Sequence, residues 1–248
     1  HYNIKCRKTG LNPSATVLVV TAQALKMHGG LDKSQLDSEN LAALEKGIPN
    51  LLRHVSNIKN VYRLPCVVAL NRFPSDTEAE IGLVKEMCSQ LDTQIVLSDV
   101  WAHGGEGARE LAETVVKLCE EDSSGFRYCY DDALGIEDKI NAVVKNIYGG
   151  SGAVLLPEAQ RQAAQLTALG FDRLPVCIAK TQSSFSDDAK KLGAPEDFIV
   201  CVRQIKVSAG AVFTVALAGN IMTMPGLPSV PAAEGIDIDD NGRITGLF

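Results

Sequence analysis

The sequence has few aromatic residues and no long apolar run. Phe, Trp and Tyr make up 5% of its 248 residues, and Trp101 is the only tryptophan. The longest apolar run, residues 15–22, contains two threonines and is far shorter than the ~20 residues that a membrane-spanning helix needs. We therefore expect a soluble globular protein, which has no membrane partner.

The chain also has no excess of positive charge. Its 24 Lys and Arg residues face 30 Asp and Glu residues, which gives a formal net charge of -6. Proteins that bind nucleic acids usually carry a basic stripe. We therefore expect no nucleic-acid partner, whereas a local basic patch for a small anionic ligand is compatible with this charge.

Paired cysteines and metal-ligand spacings are absent as well. Seven cysteines form no C-x-x-C pair, and four histidines form no H-x-x-x-H pair, so we expect no metal site. Cys66 and Cys177 lie in apolar runs, where cysteine behaves as a small hydrophobe, which predicts mostly buried, reduced thiols. No targeting segment is visible, so we expect a cytoplasmic protein. An organelle stays open, because a start at His1 is typical of a fragment.

The first half of the chain predicts a parallel α/β sheet. Three short β-branched runs, at residues 17–20, 66–70 and 95–97, alternate with helical patterns, as strands buried on both faces do. The first helix is predicted over residues 41–58, with Ser38 as its N-cap and a break or kink at Pro49. The second helix is predicted to start at a capping box over residues 75–78, and the third follows residues 104–107.

A polar stretch at residues 120–125 predicts a domain boundary, between residues 1–122 and a mixed α/β domain over residues 123–248. The second half predicts helices over residues 136–148 and 157–169. Strands are predicted over residues 175–179, 198–207 and 211–218, with a turn at residues 241–242.

Two aromatic residues follow neighbouring predicted strands. Ligands of open parallel sheets bind beyond the carboxyl ends of the strands, where Phe73 and Trp101 occur. Two rings there could hold a planar heterocycle between them, with each contact contributing about 0.5–1.5 kcal/mol beyond area burial. The alternative is that both rings simply cover the end of the sheet.

Asn71 comes directly after a buried strand, and its amide could match the edge of a purine. The alternative is an Asx turn that leads into Phe73. No phosphate-loop motif of the G-x-x-x-x-G-K-[ST] type occurs, and residues 104–107 are not a G-x-G-x-x-G fingerprint. Those glycines either form a tight turn or bind an anion at the next helix N-terminus.

The loop after the strand at residues 175–179 combines one cation with polar side chains. Lys180, Gln182 and Ser183 could bind a phosphate or a carboxylate. The alternative is an exposed loop in which Ser186 or Asp187 caps a helix. Residues 222–228 combine two methionines with a rigid turn, and methionine more often fills gaps in a core.

Together these stretches resemble the formate–tetrahydrofolate ligase family, also called 10-formyltetrahydrofolate synthetase. The resemblance runs in order from about Ile4 to Phe248 and corresponds to roughly the C-terminal half of the family's usual length. Its motifs are residues 24–30 (ALKMHGG), 71–78 (NRFPSDTE), 101–105 (WAHGG), 179–182 (AKTQ), 186–188 (SDD), 221–228 (IMTMPGLP) and 246–248 (GLF).

This resemblance implies an ATP-dependent ligase in which formate attacks ATP to give formyl phosphate, and tetrahydrofolate then takes the formyl group. It implies Mg²⁺ with ATP, activation by a monovalent cation, a homo-oligomer in the full-length protein, and a nucleotide-binding αβα layer like that of P-loop ATPases. It also implies folate binding by Phe73, Pro74, Leu97 and Trp101, and adenine binding by Asn71.

Two departures from the family pattern matter. Gln23 stands where the pattern usually has Arg, and the phosphate loop and the main catalytic residues are absent from this stretch. We therefore expect this chain alone to be inactive. The alternative functions are a non-catalytic pterin- or nucleotide-binding module that regulates or scaffolds a partner, and a base-recognition domain of an ATPase unrelated to folate.

Overall fold

The computed structural model of the protein describes residues 1–89, 92–121, 124–221 and 230–246, and its first half forms a parallel sheet. Strands β1 (Thr16–Val20), β2 (Cys66–Asn71) and β3 (Gln94–Ser98) lie side by side in the order β1-β2-β3. Both pairings are parallel. The three strands predicted from their apolar runs are therefore confirmed, and β2 is buried along almost its whole length.

The second half forms a mixed sheet. Its strands are β4 (Gly152–Leu155), β5 (Val176–Ala179), β6 (Ile199–Ser208) and β7 (Phe213–Ala218), in the spatial order β4-β6-β7-β5. The central pair β6–β7 is antiparallel, and the outer pairs are parallel. The sequence predicts β5, β6 and β7 but not β4, whose four residues carry no recognisable pattern. A two-stranded hairpin, β8 (Asp237–Ile238) and β9 (Ile244–Thr245), follows and contains the predicted turn.

Helices cover both faces of the parallel sheet. The α-helices of the described residues are α1 (Arg7–Thr9), α2 (Ala22–His28), α3 (Leu41–Ser56), α4 (Glu78–Ser89), α5 (Val100–His103), α6 (Arg109–Glu120), α7 (Ile136–Val143) and α8 (Pro157–Ala168). Of these, α7 and α8 pack against the mixed sheet. Helices α2, α3 and α4 share one hydrophobic core with the sheet, and α6 packs against β2 and β3 on the other face. No helix within the described ranges has the length and apolar character required to span a bilayer.

Helix α3 differs from its prediction at two points. Its N-cap is Asn40, whose Oδ1 accepts a hydrogen bond of 2.9 Å from the amide of Ala43, so the prediction of Ser38 as the cap is wrong. Helix α3 also does not break at Pro49, because it continues to Ser56, whereas a kink at this position stays a prediction. Burial of one apolar face against the sheet outweighs the roughly 3 kcal/mol that an interior proline costs.

The capping box of α4 lies two residues later than predicted. Thr77 Oγ1 accepts from the amide of Glu80, and Glu80 Oε2 accepts from the amide of Thr77, each at 3.2 Å. The sequence contains two overlapping S/T-x-x-E patterns, and the pattern that starts at Ser75 is not used. Glu80 also pairs with a buried lysine, which favours the second pattern.

The two sheets have separate hydrophobic cores. Residues beyond the predicted boundary nevertheless bond back to the first half: the amide of Gly125 donates to Arg63 O, and the amide of Cys129 donates to Asn3 Oδ1. The division after residue 122 stays a prediction.

Two glycines set the distance between α2 and α3. A Cβ atom on Gly47 would lie 1.8 Å from the carbonyl oxygen of Leu25, and one on Gly29 would lie 1.8 Å from that of Ala43. Both neighbours are backbone atoms, which cannot rotate away. The two helices therefore touch backbone to backbone, and α2 sits at a fixed position beside the sheet.

This contact predicts that Gly47→Ala destabilises the protein by about 3 kcal/mol, since overpacking forces the backbone to shift. Gly82→Ala in α4 is a matched control, because a Cβ atom there meets nothing within 4 Å. We expect that control to gain about 0.5–1 kcal/mol from lower backbone entropy in the unfolded chain. Urea unfolding of both variants measures the difference, and equal stabilities would contradict the prediction.

Candidate functional site

The carboxyl edge of the parallel sheet brings the predicted ligand loops together. Asn71, the last residue of β2, is paired in register with Ser98, the last residue of β3. Phe73 lies two residues after Asn71, and Trp101 lies three residues after Ser98. Phe73 is 37% exposed and Trp101 is 87% exposed, and in the described part of the chain their rings do not stack on each other. Trp101 is therefore not a core residue.

The loop that carries Phe73 is held by its backbone. Asp76 Oδ2 accepts a hydrogen bond of 2.8 Å from the amide of Phe73, and the amide of Asp76 donates to Phe73 O at 3.0 Å. The amide of Arg72 donates to Ser98 O at 3.0 Å, which joins this loop to the end of β3. The carboxyl group of Asp76 is buried, and burial raises its pKa. The ring of Phe73 takes no part in these contacts.

The loop that carries Trp101 closes on itself in a similar way. The amide of Asp99 donates to Gly107 O at 3.0 Å, and a Cβ atom on Gly107 would lie 2.2 Å from Asp99 O. His103 Nδ1 lies 3.2 Å from Asp99 Oδ2. Residues 104–108 form a 3₁₀ turn that requires this close approach. This geometry supports the tight-turn interpretation of the glycines.

The other predicted residues of this edge differ in burial. Asn71 is half-buried, and its side-chain amide has no hydrogen-bond partner among the described residues. The Asx-turn interpretation is wrong, because the amide of Phe73 bonds to Asp76 instead. Leu97 packs partly against the core of α2–α4, whereas Pro74 is exposed.

A buried ion pair joins the two helices, α2 and α4, that follow β1 and β2 at this edge. Lys26 Nζ in α2 lies 2.9 Å from Glu80 Oε1 in α4, and both side chains are fully buried. Burial by itself raises the pKa of Glu80, but hydrogen bonds from Lys26 and from the amides of Asn40 and Thr77 outweigh it and lower the pKa. Sequence reasoning missed Glu80, although its position in a T-x-x-E pattern is a visible signal.

Gln23, which departs from the family pattern, is half-buried in the first turn of α2. Its Nε2 donates to Asp37 Oδ1 at 3.0 Å. Ser75, in the loop after Phe73, also reaches Asp37 Oδ1, at 3.5 Å. Asp37 thus links the start of α2 to the loop at the end of β2.

The predicted anion residues lie in a different place. Lys180, Gln182 and Ser183 line a cleft between residues 180–192 and the end of α2, together with His28. The prediction that Ser186 or Asp187 caps a helix is wrong. Ser186 Oγ accepts from the amide of Asp188 at 3.0 Å, and Asp187 Oδ2 accepts from the amide of Cys201, at the start of a strand, at 2.9 Å. Sequence reasoning missed His28 and His54, which only the fold brings to this cleft.

The cysteines, the candidate metal ligands and the C-terminal motifs are the remaining features predicted from the sequence. All seven cysteines are free, and burial raises the pKa of Cys66 and of Cys88 to about 11. The expectation of buried thiols is wrong for Cys119 and Cys201, which are exposed. Within the described ranges, no three His, Cys, Asp or Glu side chains cluster as metal ligands. Residues 222–228, 247 and 248 lie outside the described residues.

We predict that Lys26→Met destabilises the protein by about 3–5 kcal/mol, because it leaves the carboxylate of Glu80 buried without its partner. Arg161→Met is the matched control, since it breaks an exposed pair with Glu158 and should cost less than about 1 kcal/mol. Urea unfolding measures both. The double variant Lys26→Met/Glu80→Gln should be more stable than Lys26→Met, and a double variant of equal or lower stability would count against this explanation.

The family assignment rests on the whole chain. A family model described as formate–tetrahydrofolate ligase matches residues 1–248. The match covers both the parallel sheet with its exposed rings and the mixed sheet that follows. This family consists of ATP-dependent ligases of one-carbon metabolism, with formate, tetrahydrofolate and ATP as substrates, and the chain belongs to it.

Proposed function

We propose that this chain supplies the pterin pocket and part of the adenine site of the ligase. The observation that carries the proposal is the exposure of two large rings at one edge of a parallel sheet. Phe73 and Trp101 follow paired ends of β2 and β3, where ligands of such sheets bind. Exposed apolar side chains that lie together, unlike isolated ones, are typical of a binding surface.

The two loops are suited to hold a flat ligand. Adjacent strands lie roughly 4.8 Å apart, so the two loops leave the sheet as close neighbours. Their backbones are fixed by Asp76 on one side and by Asp99 and Gly107 on the other. Fixing loops before binding lowers the entropic cost of association. Pterin rings placed between Phe73 and Trp101 would gain stacking contacts on both faces.

The residues beside the rings complete the proposed pocket. Pro74 is exposed next to Phe73 and has no amide hydrogen, so it offers the ligand an apolar surface without a competing donor. Leu97 is partly buried in β3 and forms the floor on that side. In this arrangement the chain binds and orients tetrahydrofolate and excludes water from its ring faces.

Asn71 is the proposed adenine contact. Its amide offers two donors and one acceptor, and none of them is used within the described residues. The Watson–Crick edge of adenine presents a matching amino donor and ring acceptor. Since these 248 residues contain no phosphate-loop motif, we propose that other residues hold the triphosphate and that this chain alone does not turn over ATP.

The second candidate function is a non-catalytic module that binds a pterin or a nucleotide. The lack of a phosphate-loop motif in this sequence is the observation that favours it. The two functions differ in a longer polypeptide that contains these residues together with a phosphate loop. ADP release that depends on formate and tetrahydrofolate supports the ligase, whereas folate binding without ATP turnover supports the module.

The stacking proposal predicts that Trp101→Ala weakens tetrahydrofolate binding by about 1–3 kcal/mol, by analogy with bases stacked on aromatic rings. Its effect on stability should stay within about 0.5 kcal/mol, because the side chain is exposed. Val100→Ala, in the same short helix and also exposed, is the matched control and should leave folate affinity unchanged. Calorimetric titration gives both affinities.

The same proposal has an optical test. Trp101 is the only tryptophan, so tetrahydrofolate or a stable analogue should quench the indole fluorescence saturably. A ligand that saturates the protein by calorimetry without quenching would show that Trp101 does not stack on it. Phe73→Ala should reduce affinity by a similar amount while the fluorescence of the free protein is retained.

Asn71→Ala is predicted to raise the ATP KM of a ligase that contains this chain several-fold, since a lost neutral hydrogen bond costs about 0.5–1.5 kcal/mol. The folate KM should change less. Steady-state kinetics with each substrate varied in turn measure the two constants. A raised folate KM with an unchanged ATP KM would assign Asn71 to the pterin instead.

A further inference from the structure

A cleft between the first-half helices and the second half brings three basic side chains together. It holds a pocket of about 310 Å³ whose lining includes Lys180, His28 and His54, from three separate chain segments. The cleft continues past His28 and Gln182 into a second pocket of about 580 Å³ along α2. These residues are distinct from those assigned above to the pterin and to adenine.

Lys180 carries a positive charge that the described residues do not neutralise. Its Nζ donates to Thr181 O at 3.2 Å and to Ser184 O, and it lies 4.7 Å from the centre of the Tyr148 ring. In the described ranges no carboxylate forms an ion pair with it. Burial lowers the pKa of Lys180 to about 8, against the opposing effect of Asp187, so the ammonium form still predominates at neutral pH.

The two histidines add neutral donors to the same wall. His28 Nδ1 accepts a hydrogen bond of 3.3 Å from the amide of Gly193, which places the proton of the neutral ring on Nε2. The ring of His54 lies 4.6 Å from that of Phe185 and has no hydrogen bond among the described residues. Burial lowers the pKa of His54 to about 4, with a further contribution from the charge of Lys180 and from that of His28 when its ring is protonated.

The rest of the pocket has two kinds of surface. Asn50, Gln182 and Ser184 add polar groups, whereas Ile147, Ile178 and Phe185 form an apolar wall. No carboxylate is among the described lining residues of this pocket. Asp32 lines the second pocket, but its carboxylate accepts hydrogen bonds from the amide and hydroxyl of Ser34. The cleft therefore combines hydrogen-bond donors and one cation with apolar side chains.

We propose that this pocket binds a small organic anion. Its phosphate or carboxylate group lies against Lys180, His28 and His54, and its apolar part contacts Ile147, Ile178 and Phe185. Such an anion supplies the counter-charge that Lys180 lacks and accepts from the imidazole N–H groups. The competing explanation is that Lys180 only ties residues 181 and 184 together, which requires neither histidine.

The test is calorimetric titration of the purified chain with phenyl phosphate, inorganic phosphate and benzoate. Phenyl phosphate should bind more tightly than inorganic phosphate, because only the former reaches the apolar wall. Comparison with benzoate decides between a phosphate and a carboxylate head group. Binding should also shift the imidazole NMR signals of His28 and His54, which a ligand at the sheet edge would not do.

Lys180→Gln should weaken phenyl phosphate binding at least about tenfold, as expected for a lost hydrogen bond to a charged group. Lys190→Gln is the matched control: it removes the same charge from an exposed position of the same loop and should change the affinity less than about twofold. Since Lys180→Gln also removes loop contacts, His54→Gln provides a second variant, and it breaks no hydrogen bond of the described residues.

Absence of heat and of imidazole shifts with both phenyl phosphate and benzoate at about 10 mM would overturn the proposal, since binding that weak does not indicate a formed site. Binding that is unchanged in both Lys180→Gln and His54→Gln would overturn it as well, and equal affinities for inorganic and phenyl phosphate would overturn the apolar contact. Loss of folate binding in Trp101→Ala leaves all of these outcomes unaffected, so the two proposals fail separately.

Discussion

The buried ion pair between Lys26 and Glu80 is the interaction on which the first half of the structure depends. Lys26 Nζ also donates to Ser38 O, and Glu80 also accepts from the amides of Asn40 and Thr77. One pair of charges therefore holds α2, the start of α3 and the start of α4 together. A buried pair stabilises little compared with apolar packing, but loss of one partner strands the other, so the pair fixes this arrangement.

The fixed start of α4 explains how the ring of Phe73 can stay exposed. The first turn of α4 follows the Phe73 loop within a few residues, and its capping box uses the same Glu80 that pairs with Lys26. The Phe73 loop is therefore fixed at one end by β2 and at the other by the first turn of α4. Its backbone groups are satisfied by Asp76, which leaves the ring free to contact a ligand. Stability and binding use different atoms of one short segment.

Sequence patterns predicted the strands and helices whose apolar residues recur at a regular spacing. Periodic apolar residues located β1–β3 and most helices, because burial in a sheet or helix imposes a spacing on the sequence. They failed where tertiary contacts choose between local alternatives: Thr77 over Ser75 as a cap, and Asn40 over Ser38. The placement of Phe73 and Trp101 at one edge followed from strand order. The approach of His28 and His54 to Lys180 could not be predicted in this way. It depends on contacts between residues more than 100 positions apart in the sequence, which no local pattern records.

Helix α2 connects the edge of the parallel sheet, where the pterin pocket is proposed, to the basic cleft. It begins directly after the carboxyl end of β1 and ends at His28 in the basic cleft. Seven residues of α-helix span about 10 Å, so the start of α2 after β1 and its end in the cleft lie roughly that far apart. The helix cannot slide along α3, because Gly29 and Gly47 place the two backbones in direct contact, and Lys26 anchors its centre. The residues that hold α2 in place therefore set the distance between the proposed pterin pocket and the cleft, which makes them as important for the geometry of both regions as the residues that line them.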